Sequence, residues 1–128
     1  MRRDARVVAF QIIFSKMFAS DQIEEPFFDS LKKESDISFA KSVVENFLEH
    51  KQDLDEQIKG GLVGYQIDRV YKVDLALLYL VLTEVEFLDT PKQVAINEAL
   101  EIAKKFSTDK SPKFLNGVLS SVLRGKDK

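Results

Sequence analysis

At 128 residues, with 45% hydrophobic residues, ten phenylalanines and no cysteine, the chain has the make-up of one domain, residues 1–128, with an apolar core and no disulfide framework. A formal net charge of −2 would argue against a nucleic-acid ligand if it were spread evenly, but residues 1–20 carry a net +3 and residues 104–128 a net +5, against −7 over 21–58 and −3 over 59–103. The longest apolar run, Leu75 to Leu82, falls far short of the roughly 18 residues of a membrane span, and no short apolar run with a cleavage site follows Met1; a cytoplasmic protein without membrane attachment is expected.

Few glycines and prolines interrupt the chain, and all but Gly117 fall where a helix would begin or end, which predicts an all-helical bundle. The first helix is expected from about Arg3 to Ala19. Ala5, Val8, Ala9 and Ile12 form one stripe; Val7, Phe10, Phe14, Met17 and Phe18 form another on the opposite side, as in a helix central to a bundle. Its first turn carries Arg2, Arg3 and Arg6, predicted to project off the end of the rod. Basic charge there opposes the helix dipole by about 0.3–1 kcal/mol per residue, so local stability does not account for it; a ligand or a solvated tail would.

A short helix is predicted at about Glu25 to Lys33, with Pro26 in its first turn and Phe27, Phe28 and Leu31 as its apolar face. Ser35 or Asp36 then caps a long helix ending at Gly60 and Gly61, with Ile37, Ala40, Val44, Phe47, Leu48, Leu54 and Ile58 inward and Glu45, Glu49, Asp53 and Glu56 as an acidic outer stripe. Gln66 to Val70 reads as one turn before a nearly all-apolar, central helix from about Lys72 to Phe87. Thr90, with Pro91 behind it, should cap a helix to Phe106 that includes a Glu101–Lys105 pair. Ser111 and Pro112 give the same start signal for a last helix to about Arg124.

On a helical wheel the last helix divides cleanly. Phe114, Leu115, Val118, Leu119, Val122 and Leu123 take one half; Lys113, Asn116, Gly117, Ser120 and Arg124 take the other. A mid-helix glycine costs about 1 kcal/mol relative to alanine, so Gly117 either admits a ligand close to the backbone or permits a tight helix crossing. Phe114 lies at the border, where its ring either closes the core or offers a stacking surface of the kind single-stranded RNA uses.

Catalytic signatures are missing. His50 is the lone histidine, and no HExxH, phosphate-binding glycine loop or GxSxG occurs. Glu98 and Glu101 sit one helical turn apart but have no ExxH partner, so they read as a solvated face, as do Asp53, Asp55 and Glu56. No enzyme, metal or cofactor is expected.

The run VAINEALEIAKKF from Val94 to Phe106, followed by KFLNGVL from Lys113 to Leu119, resembles the C-terminal signature of the NusB family of bacterial antitermination factors. RRDAR from Arg2 to Arg6 is similar to that family's arginine-rich entry into helix one, and IDRVYKVDLALL from Ile67 to Leu78, with Glu84 beyond, to its central segment. The resemblance implies an all-α bundle of about seven helices. It also implies binding of boxA RNA together with NusE, a small-subunit ribosomal protein, within a complex of RNA polymerase and other Nus factors. By the same carry-over, Arg2, Arg3 and Arg6 would meet phosphates, with Lys113, Phe114, Asn116 and Gly117 nearby. Phe14 would lie at the RNA and the partner, and Asp68, Tyr71, Asp74 and Leu78 in the partner-facing region. Phe14 stands where the family often has tyrosine, Tyr79 where arginine is common, and Ser120 where aspartate is frequent; Lys110 and Pro112 occupy more variable polar positions. The Tyr79 replacement puts a buried ion pair in question.

Two other readings remain open at this level. A purely protein-binding helical module would use Phe10, Phe14 and Met17 as an exposed face, with the basic ends incidental. A methyltransferase-associated domain would need a cofactor-binding half for which 128 residues leave no room. The second apolar face of the first helix also admits a homodimer that would hide the RNA site. The nucleic-acid reading expects the two basic ends of the chain to meet in space.

Overall fold

The fold is built around a helix that is apolar on every side. In the computed structural model, which describes residues 2–18, 25–64 and 66–124, α3 (Lys72–Phe87) is buried at every position from Asp74 to Val85. Burial of leucines such as Leu77, Leu78, Leu80 and Leu82 contributes about 1.5–3 kcal/mol each. Its polar residues Asp74, Thr83 and Glu84 are buried too, and each must find a partner inside the bundle. Those partners fix how the other helices lie.

Around this axle pack α1 (Arg2–Lys16), α2 (Glu34–Gly61), α4 (Lys92–Phe106) and α5 (Ser111–Val122), with 3-10 turns at Glu25–Ser30 and Ile67–Arg69. The all-helical class is as expected, with five α-helices and two short turns among the described residues against the expected seven or so helices. Arg6 lies opposite Glu84 and Phe14 beside Val73, so α1 runs antiparallel to α3. Arg3 meets Glu98 and Phe10 meets Phe106, so α1 is parallel to α4. The first helix ends at Lys16, short of the expected Ala19, with Met17 and Phe18 in a turn; Ala19 itself and the side chains of Pro26 and Phe27 lie outside the described residues.

Several local expectations are corrected. The long helix carries a kink at His50, where φ −112° and ψ 16° are not helical; the His50 ring stacks on Phe87 at 4.0 Å. Leu48 points outward because the buried stripe centres on Phe39, Val43 and Phe47, which leaves Leu48 at its edge. The anticipated capping residues are not the N-caps, and the residues that are make no side-chain cap bonds. Lys33, Pro91 and Lys110 precede the helices instead, and the Thr90 hydroxyl donates to Glu84 Oε1 at 3.0 Å. Satisfying a buried carboxylate takes precedence over a helix end that water can reach. Glu101 pairs with Lys104, not Lys105. Gly61 proves to be a crossing point, since a Cβ there would run into the Val122 side chain and approach the Val118 carbonyl within 3.3 Å. None of the described helices is long and apolar enough to cross a membrane.

Candidate nucleic-acid interface

The three arginines of the first turn have three different fates. Arg6 turns inward: its Nε and Nη2 donate three hydrogen bonds of 2.8–3.0 Å to the Glu84 carboxylate, and both side chains are buried. This corrects the expectation that Arg6 projects from the helix end to meet phosphate, and the cause is the axle. A carboxylate enclosed in α3 requires a cation, and the α1 register presents Arg6 to it. This pair is distinct from the one that an arginine at position 79 would make, which a tyrosine there cannot form. Tyr79 itself donates its hydroxyl to Asp55 and packs against Phe47.

Arg3 is half-exposed and grips Glu98 of α4 through Nε and Nη2 at 2.9 and 3.0 Å. Hydrogen bonding and charge from Glu98 raise the Arg3 pKa. In turn the Arg3 hydrogen bonds hold the Glu98 carboxyl below the usual carboxylate range, against an opposing effect of partial burial. Glu98 is thus an ion-pair partner and not the solvated face the sequence suggests. Arg2 alone of the three is fully on the surface, its guanidinium 4.5 Å from the Phe39 ring centre. Together with Phe39, Thr90, Pro91 and Val94 it lines an open hollow of about 390 Å³.

On α5, Lys113, Asn116, Gly117 and Ser120 are exposed on one face, while Leu115, Val118 and Leu119 are buried on the other. Phe114 is half-buried at the border. A Cβ at Gly117 would meet nothing within 4 Å, so the crossing explanation does not hold for this glycine. The loop before α5 is tied to the start of α3: Ser107 donates to Asp74 at 2.6 Å and shares a 2.7 Å contact with Ser111.

The two basic regions therefore do not converge in one patch. Arg6 and its neighbours sit beside Glu84, and the entry to α5 sits beside Asp74, ten residues earlier on the same helix. At 1.5 Å per residue that is about 15 Å along α3. The antiparallel course of α4 separates them, since α5 begins at the opposite end of the bundle from the first turn of α1.

Phe14 lines an apolar groove of about 470 Å³ with Phe10, Gln11, Ser15, Phe18, Val73 and Phe106. Phe14 and Phe18 meet edge to face at 5.1 Å, and Phe10 lies 5.5 Å from Phe106. Phe18 is 57% and Phe106 40% exposed. Sequence reasoning placed Phe106 only at the end of a helix, because its neighbours on α1 are brought to it by packing. Of the expected partner-facing residues, Asp68 and Tyr71 are exposed. Leu78 is corrected to a fully buried core residue, and Asp74 to a buried acceptor for Ser107. The axle leaves neither a path to a partner. No group of three or more potential metal ligands occurs among the described residues.

The NusB family model matches residues 3–124. Transcription antitermination protein NusB of Clostridium botulinum is 36% identical over 142 aligned positions, covering 95% of this chain and 99% of that protein. The structure of T. maritima NusB aligns with a TM-score of 0.90 and 29% identity, over 98% of this chain and 92% of that one. A chain in the crystal structure of antitermination factors NusB and NusE in complex with dsRNA aligns with a TM-score of 0.84 and 27% identity, over 94% of each chain. A family match over nearly the full length, joined to the same all-helical architecture, places this chain in the NusB family.

Proposed function

We propose that the protein is a cytoplasmic, non-catalytic antitermination factor that binds boxA-type single-stranded RNA jointly with NusE. In a larger complex with other Nus factors it helps RNA polymerase resist termination, notably on ribosomal RNA genes. The observation that carries this reading is the exposed polar face of α5, on which Lys113, Asn116 and the open Gly117 stand beside the half-buried ring of Phe114. Arg2 and Arg3 stand apart from this face, at the other end of the bundle, so an RNA that reaches both runs along the bundle as an extended strand. The NusB and NusE complex that shares this fold contains RNA. Phosphate contacts supply affinity, and base contacts at Phe114, Asn116 and Gly117 supply preference. Phe14, Tyr71 and Asp68 face the protein partner.

The test is a titration of a labelled boxA oligonucleotide, with and without NusE, at several salt concentrations. Single-strand binding should weaken with salt by about 0.7 in log–log slope for each phosphate contact. The double variant Arg2→Ala/Lys113→Ala should lose affinity and flatten that slope. Unchanged binding in this variant would rule out the assigned surface. The purely protein-binding reading draws on the apolar groove with exposed Phe18 and Phe106, and predicts capture of NusE with no RNA affinity in any condition.

A further inference from the structure

Of the +3 that residues 1–20 present in sequence, little faces solvent as free charge at the first turn. Arg6 is neutralised by Glu84 and Arg3 by Glu98, and Arg2 is the arginine left at the surface without a carboxylate at salt-bridge distance among the described residues. The Arg3–Glu98 contact is two-pronged, with two parallel N–H donors on two carboxylate oxygens. A phosphate takes a guanidinium in the same way.

We infer that Glu98 restrains RNA affinity: it occupies the phosphate-gripping edge of Arg3, so that an RNA must displace it or share the cation before that arginine adds to binding. This rests on the RNA-binding reading above. Glu98 is the fixed member of the pair, on α4, with Arg6 Nη1 also 4.0 Å away; its side chain is 19% exposed and that of Arg3 43%. Arg3, a long side chain on the first turn of α1, is the member that swings. The tie between α1 and its neighbours does not depend on this contact, because the enclosed Arg6–Glu84 pair and the Phe10–Phe106 contact already make it, and a half-exposed ion pair adds little to folding. Neutralising Arg3 lowers the attraction for any polyanion, since charge attraction to phosphate carries no sequence information. An RNA that also fits Phe114, Asn116 and Gly117 makes contacts that do not depend on that charge. Glu98 thereby lowers the affinity for every strand alike, and the gap between fitting and non-fitting strands is left to the base contacts.

The experiment titrates labelled boxA RNA and a scrambled strand of equal length and composition, in the presence of NusE, across a range of KCl. The proteins are the full chain and its variants Glu98→Gln, Arg3→Ala, Arg3→Ala/Glu98→Gln and Glu56→Gln. Glu98→Gln should tighten boxA and scrambled RNA alike, roughly two- to fivefold at low salt, and steepen the salt slope by about 0.7. The gain should vanish in the Arg3→Ala background, as a coupled pair requires. Glu56→Gln, the same charge change on the acidic side of α2, should leave the affinity for both RNAs nearly unchanged. Weaker or equal binding by Glu98→Gln, a gain that persists without Arg3, or loss of the folded state in that variant would each overturn the inference. Absence of RNA binding by the unaltered protein with NusE would instead sink the functional reading itself.

Discussion

Arg6 and Glu84, 78 positions apart in sequence, form an enclosed ion pair of three hydrogen bonds that locks the first turn of α1 to the axle helix, with the Thr90 hydroxyl completing the carboxylate's shell. Truncating one partner leaves the other charge buried without compensation, so Arg6→Ala and Glu84→Ala should each cost about 3–5 kcal/mol. The apolar double replacement Arg6→Met/Glu84→Leu should recover most of that loss. Urea unfolding curves measure it, and single-variant losses below about 1 kcal/mol would show the pair to be dispensable.

The Arg3–Glu98 pair gives stability a dependence on acid. Hydrogen bonds from Arg3 depress the Glu98 carboxyl in the folded protein, so the unfolded chain takes up this proton first. The contribution is complete above the ordinary glutamate value of about 4.3 and is lost as pH falls through the lower folded value. Melting temperatures of the unaltered protein and Glu98→Gln, compared from pH 7 to pH 3, should converge toward the acid end. A constant difference across that range would contradict the depressed pKa.

Tyr79 sets the opposite limit. Burial first, and then the hydrogen bond and charge of Asp55, raise its phenol well above the ordinary value. A folded pKa raised above the unfolded one makes the contribution complete below about pH 10 and lost as pH climbs beyond it. Ultraviolet titration should find that one of the three phenols ionises only as the chain unfolds, and Tyr79→Phe should reduce the steepness of alkaline unfolding. Titration of all three near pH 10 in the folded state would refute the enclosed hydrogen bond.

Two glycines on neighbouring helices should respond oppositely to the same change. Gly117 has open space at its Cβ position and no positive φ, so Gly117→Ala should stabilise the fold by about 0.5–1 kcal/mol. Gly61→Ala forces a methyl into Val122 and the α5 backbone and should destabilise by about 1–3 kcal/mol. If RNA approaches Gly117 closely, the more stable Gly117→Ala protein binds boxA less well. Chemical denaturation and RNA titration on the same two variants separate the effects.

The all-helical class and the order of its main helices were legible because each rests on local periodicity: the apolar run Leu75 to Leu82, the split wheel of 111–124 and the acidic outer stripe of the long helix need no distant partner to declare themselves. The polar face of α5 was legible for the same reason. What a charge does once the chain has folded depends on what faces it, and Glu84 and Glu98 come to face Arg6 and Arg3 from distant helices. Three equivalent arginines in sequence thus become one buried, one paired and one at the surface. Leu78 and Asp74 follow the same logic, since a helix enclosed on all sides hides residues that a one-faced helix would show, and helix packing alone brings Phe106 to the groove beside Phe10. The sequence by itself determined where helices form and which of their faces are apolar, since those are properties of neighbouring residues. Only the tertiary structure decided which charges remain for a ligand, because neutralisation acts through space between segments far apart along the chain.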